Sequence, residues 1–140
     1  MAEVRFWDTS ALLMVFDARE RDRRRARGLW SGPRSRKVEH ATSVLVAIEA
    51  VRKFHRSAPA EVGQLMDALR AMVLVPLVAS LLPIAYEIAG RSHATGADTA
   101  IVSCAVAIPR VAGKEVEFVT ADDEQGDLAR AEGLETVVLG

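Results

Sequence analysis

Cysteine is almost missing from this chain: Cys104 is the only one in 140 residues. No disulfide framework can form within the chain, and no thiol pair is present for zinc or redox chemistry. Cys104 stands in an apolar run and reads as a buried thiol packing as a small hydrophobe. Histidine is scarce too. His40, His55 and His93 have no mutual ligand spacing and read as surface or loop residues. Neither a Walker-type loop nor GxGxxG occurs, and no serine sits in a nucleophile-elbow motif. Net charge is only −1, so any nucleic-acid contact needs a local basic patch. Long apolar runs are missing as well. The longest, Met72–Val75 with Leu77–Ala79, is broken by Pro76 and falls far short of the ~20 residues of a membrane-spanning helix. The first residues, Met-Ala-Glu-Val-Arg, lack the basic-then-apolar layout of a signal peptide. The expected setting is the cytoplasm, with no membrane partner.

What is present suits one α/β domain over residues 1–140. Half the residues are hydrophobic and 26% are charged. A chain of this length can bury ~68–70% of its unfolded surface. Val4–Trp7 reads as a strand, followed by a helix from Ser10 to about Phe16. Asp17 to Trp30 is highly charged, with Ala18, Ala26, Leu29 and Trp30 as a thin apolar stripe and a basic face beyond it. Gly32-Pro33 stops that helix. Val38–Thr42 is a short strand, Ser43 an N-cap, and Val44 to about His55 an apolar helix. Ala60–Met72 has apolar residues at helical spacing. Val73–Leu77 reads as a strand, and Leu81 to about Ser92 as a helix with Pro83 in its first turn. Thr95-Gly96 opens a very apolar helix from Ala97 to about Ile108. Val116–Thr120 is a strand, Glu124–Glu132 a helix closed by Gly133, and Thr136–Leu139 a last strand. Strands and helices alternate throughout. The expected fold is a mostly parallel sheet of about five strands with helices on both faces.

Four acids stand at unusual places. Asp8 ends the first strand and, taken alone, reads as the N-cap of the next helix. Glu49 interrupts the apolar run Val44–Val51. An ion pair with Arg52 or Lys53 would return only ~0.2–0.5 kcal/mol, against several kcal/mol for a partly buried charge. Asp98 starts the apolar helix three residues after Thr95, as in a capping box. Asp122 follows the strand Val116–Thr120 and could cap the next helix. In a parallel sheet such places converge on the edge at the carboxyl ends of the strands, where ligands bind. Four clustered carboxylates need protonation or a cation to persist. With oxygen donors alone, the natural cation is Mg²⁺ or Mn²⁺. The implied chemistry is phosphodiester hydrolysis by a metal-activated water, with ions about 3.5–4 Å apart if two bind.

The ordered segments Phe6-Trp7-Asp8-Thr9-Ser10-Ala11-Leu12, Ala41–Glu49, Gly96–Ile101, Phe118–Asp122 and Ala131–Leu134 resemble the PIN-domain ribonucleases, most closely the VapC-type toxins of bacterial toxin–antitoxin pairs. The resemblance spans nearly the whole chain. It implies a single PIN-like domain with metal-binding, catalytic acids at Asp8, Glu49, Asp98 and Asp122. It also implies a nearby hydroxyl from Ser10 or Thr120. Asp123 duplicates Asp122, so the fourth acid stays open by one position. The implied activity is Mg²⁺-dependent endoribonuclease cleavage of RNA. The implied partners are a cognate antitoxin and a second copy of the chain. A housekeeping RNA-processing nuclease and a catalytically silent RNA- or partner-binding PIN fold stand as alternatives. The stretch Arg19–Arg27 is more arginine-rich than the family pattern. It reads either as a phosphate-tracking or antitoxin-binding patch or as a solvated helix face. Trp30 reads as core or dimer interface.

Overall fold

The sheet begins with the chain's most buried strand. In the computed structural model, which describes residues 2–17, 23–31 and 38–139, β1 (Val4–Trp7) is buried along its whole length. Such a strand must be covered on both faces, which fits its place at the centre of a parallel sheet. Among the described residues there are five strands and seven α-helices. They are β1, α1 (Thr9–Phe16), α2 (Arg23–Ser31), β2 (Glu39–Ser43), α3 (Val44–Ser57), α4 (Val62–Ala71), β3 (Val73–Val75), α5 (Leu82–Arg91), α6 (Gly96–Ala112), β4 (Val116–Thr120), α7 (Asp123–Ala131) and β5 (Glu135–Val138). The sheet order is β3-β2-β1-β4-β5, and every pairing is parallel. The expectation of a mostly parallel five-stranded sheet is therefore met, with no antiparallel strand.

The chain steps outward from β1 through β2 to β3, then returns to place β4 on the other side of β1. Right-handed crossovers put α1–α4 on one face and α5–α7 on the other. The order reverses between β1 and β4, and in parallel sheets ligands bind at such a switch point, outside the carboxyl ends of the strands. The register sets Phe6 beside Phe118 and Trp7 beside Val119. The Phe6 and Phe118 rings stack with centroids 5.6 Å apart. Leu12, Val46, Phe54, Leu65, Val102 and Val119 complete a core closed to water.

Helix ends follow local chemistry. Ser43 caps α3 by accepting the Val46 N–H at 3.0 Å, and Thr95 caps α6 through the Asp98 N–H at 3.1 Å. Gly133, at φ 86°, closes α7 as expected, with the Leu134 N–H bonded to Ala129 O at 3.1 Å. Other boundaries differ from the sequence reading. Pro59–Glu61 and Ala79–Leu81 are 3₁₀ turns leading into α4 and α5. α6 runs on through Pro109 to Ala112, where Gly113 at φ 66° donates to Pro109 O at 3.0 Å. A proline costs the helix one hydrogen bond, and the buried stretch Ile101–Ala107 holds the helix against that loss. Cys104 is buried, and burial pushes its thiol up to about 11.

His40 corrects the surface reading. It lies half-buried on β2 under Trp30, with ring centroids 4.5 Å apart, and its Nδ1 accepts the Trp7 Nε1–H at 2.9 Å. Burial, then the nearby Arg5 charge, holds its pKa below the usual histidine range. Trp30 meets Trp7 and Phe16 edge to face and packs, partly buried, against the core. Only the fold assembles rings from such distant parts of the chain, which is why residue spacing missed His40.

The basic helix is largely occupied by the fold. Arg23 donates to Val15 O at 2.8 Å and Arg27 to the same carbonyl at 3.4 Å, capping the end of α1. Arg25 donates to Val138 O at 3.3 Å. The Arg19–Asp22 part of this stretch, Ala18 and the Gly32-Pro33 stop lie outside the described residues. No helix among the described residues is long and apolar enough to cross a membrane.

Candidate active site

Asp8 follows the end of β1 at the switch point between β1 and β4. Its N–H continues the ladder by donating to Val119 O at 3.1 Å, and the chain then turns into α1. The carboxylate caps that helix, with Oδ1 accepting the Ala11 N–H at 3.2 Å. Ser10 Oγ donates to the same oxygen at 2.7 Å, and Thr120 Oγ1 donates to Oδ2 at 2.7 Å. The cap reading and the site reading thus hold together. Asp8 is only 5% exposed, and none of its hydrogen bonds comes from a basic side chain. Burial pushes its pKa above the usual carboxylate range. The Thr120 and Ser10 hydroxyls and the Ala11 N–H pull it back, and the Asp122 charge raises it further.

Thr120 is fully buried at the end of β4 and bridges two acids. Its Oγ1 donates to Asp8 and accepts the Asp122 N–H at 3.0 Å. Ser10 Oγ lies 3.2 Å from Thr120 Oγ1 and accepts the Ala121 N–H at 2.9 Å. The expected hydroxyl is therefore a pair. Asp122 caps α7 through Oδ1, which accepts the N–H groups of Glu124 at 2.9 Å and Gln125 at 3.2 Å. Of Asp122 and Asp123, Asp122 is the acid whose charge is felt at Asp8.

Glu49 points from α3 toward the same region. Its Oε1 accepts the Thr9 Oγ1 hydrogen at 3.1 Å, and neither Arg52 nor Lys53 pairs with it. Asp98, third residue of α6, is partly exposed. It forms one wall of a cavity of about 410 Å³ between the start of α6 and α7, with Glu124 and Asp127 opposite. Asp8 and Asp122 are thus linked through Thr120 and a shared field, Glu49 is held by Thr9, the residue after Asp8, and Asp98 faces this neighbouring cavity. Among the described residues no three His, Cys, Asp or Glu side chains stand close enough to cage a metal ion.

The donor chemistry fits a hard cation. A carboxylate has about four lone-pair directions. Hydrogen bonds take three on Asp8, leaving one on Oδ2. Asp122 Oδ2 and Glu49 Oε2 have no hydrogen-bond partner among the described residues. A buried anion with one open oxygen direction and only neutral donors suits Mg²⁺, which keeps several waters and needs few protein ligands.

Two residues escaped the sequence reading. Thr9, which follows Asp8, holds Glu49. Gln125 is 3% exposed, and both polar atoms of its amide lack a partner. The signal for Gln125 was its place in the apolar stripe with Leu128 and Ala129, three and four residues on.

Solved structures share this architecture. A structure of VapBC2 from Rickettsia felis, bound to a DNA fragment from its promoter, matches with a TM-score of 0.70 at 13% identity over 98% of this chain and 99% of that one. The sarcin–ricin loop cleaving toxin VapC20 of Mycobacterium tuberculosis matches with a TM-score of 0.65 at 20% identity, covering 93% of this chain and 95% of that one. A toxin–antitoxin complex from Klebsiella pneumoniae gives a TM-score of 0.66 at 15% identity, with 96% of each chain covered. At these identities the likeness establishes the fold alone. No curated protein matches the sequence. The PIN domain family model matches residues 5–131, and on that match together with the sheet order and the placement of Asp8 the chain belongs to the PIN domain family.

Proposed function

We propose that this protein is a Mg²⁺- or Mn²⁺-dependent endoribonuclease and the toxin of a type II toxin–antitoxin pair. The observation that carries this reading is Asp8. It is a buried carboxylate at the sheet's switch point, held by two hydroxyls, adjoining Asp122, and without a cationic partner among the described residues. The solved structures lend support, since they include a toxin that cleaves the sarcin–ricin loop and toxin–antitoxin complexes.

Asp8 would hold the cation through Oδ2, with Asp122 and Glu49 offering their open oxygens and Asp98 closing the site from α6. When bound, the cation lowers the pKa of a water and stabilises charge on the phosphodiester. The chain's own residues prepare the site. Thr120 and Ser10 fix the Asp8 carboxylate and favour its ionised form by donating to it. Thr9 fixes Glu49. Asp122 draws the first turn of α7 against the end of β4. The antitoxin and a second copy of the chain are the proposed protein partners. Leu77, Val78, Leu82 and Tyr86, all exposed, supply apolar surface for such contacts.

The test is cleavage of single-stranded RNA by purified protein, abolished by EDTA and restored by Mg²⁺ or Mn²⁺. Full activity in Asp98→Asn protein of unchanged fold overturns the place of Asp98 in the acid set, and no RNA cleavage with either cation overturns the nuclease reading. Growth arrest on expression, relieved by a small neighbouring gene, separates a toxin from a housekeeping RNA-processing nuclease. A second reading, a silent PIN fold that only binds RNA or a partner, is favoured by the acids not standing as a ready cage. Calorimetry that detects no Mg²⁺ or Mn²⁺ binding would select it.

A further inference from the structure

We propose that α3 carries a phosphate track, a stripe of cations on the face of Glu49 that leads an RNA strand away from the acids at the end of β1. The inference deepens the nuclease reading, on which it rests for the identity of the polyanion.

The stripe begins at Glu49. Arg52, Lys53 and Arg56 follow three, four and seven residues on, the spacing of a single helix face. Val46, Ala50 and Phe54 form the buried side of the same helix. The three cations are exposed, and among the described residues none of them has an ion-pair partner. Glu49 stands within helical reach of Arg52 and Lys53, yet its hydrogen bond comes from Thr9. The other basic segment is employed differently. Of the four arginines of α2, Arg23, Arg25 and Arg27 donate to backbone carbonyls. The helix dipole accounts for Arg56, in the last turn of α3, but not for Arg52 and Lys53, which stand before it.

Position and charge select the ligand. The chain has a net charge of −1 and its proposed site is built of acids, so a nucleic acid needs a local cationic surface to approach it. α3 starts where β2 ends, at the carboxyl edge of the sheet, and its axis leads away from that edge. Glu49 is bonded to Thr9, the residue after Asp8. A phosphate at the acids therefore places its neighbours along the strand over Arg52, Lys53 and Arg56. These extend about 10 Å from Glu49 at ~1.5 Å per residue, the span of roughly three phosphates in a stacked strand at ~3.4 Å each. Cations on long, flexible stems supply charge without reading a base edge, so the track holds RNA without regard to sequence.

The experiment is a salt titration of RNA binding. The full chain is titrated in EDTA against a fluorescent single-stranded RNA of about 12 nucleotides, an ordinary site size, and affinity is read by anisotropy. Each phosphate contact steepens log K against log salt by about 0.7 for a single strand. Arg52→Gln/Lys53→Gln/Arg56→Gln should flatten the slope by about 2 and weaken binding at least about tenfold at ~0.1 M salt, equally for oligo(A), oligo(C) and oligo(U). The fold should persist, since all three side chains are exposed. Arg110→Gln/Lys114→Gln/Arg130→Gln changes the net charge equally, at exposed ion pairs elsewhere, and should leave the slope unchanged. An equal loss in both triple variants overturns the proposal, as does an unchanged slope in the α3 variant. Loss of polyglutamate binding with RNA binding intact overturns it in favour of an acidic protein partner. In Mg²⁺ the α3 variant should raise KM about tenfold and keep kcat within about twofold, because its residues touch phosphates away from the cut. A flattened slope without any RNA cleavage sinks the nuclease reading and keeps the track. Cleavage with unchanged slope and KM sinks the track and keeps the nuclease.

Discussion

Replacing Asp8 by asparagine should make the metal-free protein more stable at neutral pH. The change swaps one carboxylate oxygen for an NH₂ of the same shape. The amide oxygen keeps the hydrogen bonds from Ser10 Oγ and the Ala11 N–H. The new NH₂ donates to Thr120 Oγ1, whose own hydrogen turns to Ser10 Oγ, 3.2 Å away. The second N–H of that NH₂ points where Oδ2 was open and stays unpaired, a smaller penalty than that of a buried ionised carboxylate. What disappears is the cost of an ionised carboxylate in a buried place. Because burial raises the folded pKa of Asp8 above its unfolded value near 3.9, the folded state holds the proton more tightly. Asp8 therefore favours folding at low pH, and this advantage is lost as pH rises from ~3.9 through the folded pKa. A folded pKa one pH unit above the unfolded one costs the wild type about 1.4 kcal/mol at pH 7, or ~5 °C in Tm for a chain of this size. Calorimetry in EDTA at pH 7 and at about pH 3 measures it: Asp8→Asn should melt higher at pH 7 and equal to wild type at low pH. Added Mg²⁺ should reverse the order, since saturation at a hundred times Kd contributes about 2.7 kcal/mol to the wild type alone. A variant less stable than wild type at pH 7 in EDTA, or a difference that ignores pH, refutes the reasoning.

Three other outcomes follow from the same coordinates. Arg5 pairs with Glu117 at 2.9 Å and donates to Leu29 O at 2.7 Å. Arg5→Met should cost about 2–3 kcal/mol in urea unfolding, somewhat below a fully buried pair. Adding Glu117→Met should recover at least half of this loss, and a strictly additive cycle would show that the pair has no coupling. In Gly126→Ala the new Cβ would meet Val138 Cγ2 at 2.7 Å. The overpacking should outweigh the ~1 kcal/mol of helix propensity, giving net destabilisation by urea titration; a stabilised variant counts against the close α7–β5 contact. The folded pKa of His40 lies below its unfolded value. Its contribution is complete above ~6.5 and is lost as pH falls toward the folded pKa. His40→Asn keeps an acceptor for the Trp7 indole and should flatten the Tm–pH profile just below 6.5, and an unchanged profile would place that dependence elsewhere.

Much of the fold was readable residue by residue. The Ser43 and Thr95 caps, the Gly133 stop and the apolar stripes of α3, α4 and α6 depend on contacts within a turn or two of the same helix. Element boundaries slipped where two local signals compete, as at Pro109, where burial carries α6 past a residue that ordinarily ends a helix. His40 was misplaced because its cage comes from β1, α1 and α2 together. Gln125 escaped because an amide in an apolar stripe reads as a minor blemish until its surroundings are known to lack a partner.

The sequence by itself determined the alternation of strands and helices, the single fold class, and the standing of Asp8, Asp98 and Asp122 at element ends. These follow from period, caps and turns, which act over a few residues. Only the tertiary structure decided that β4 returns to lie against β1. That pairing brings Thr120 to Asp8 across 112 residues, where its hydroxyl joins the Asp8 carboxylate to the backbone N–H of Asp122. It also set Glu49 against Thr9, Asp98 toward the α7 cavity, and the Gln125 amide in a wall with no partner. The physical reason is that strand order and register depend on which faces bury together, a property of the whole chain and of no single segment.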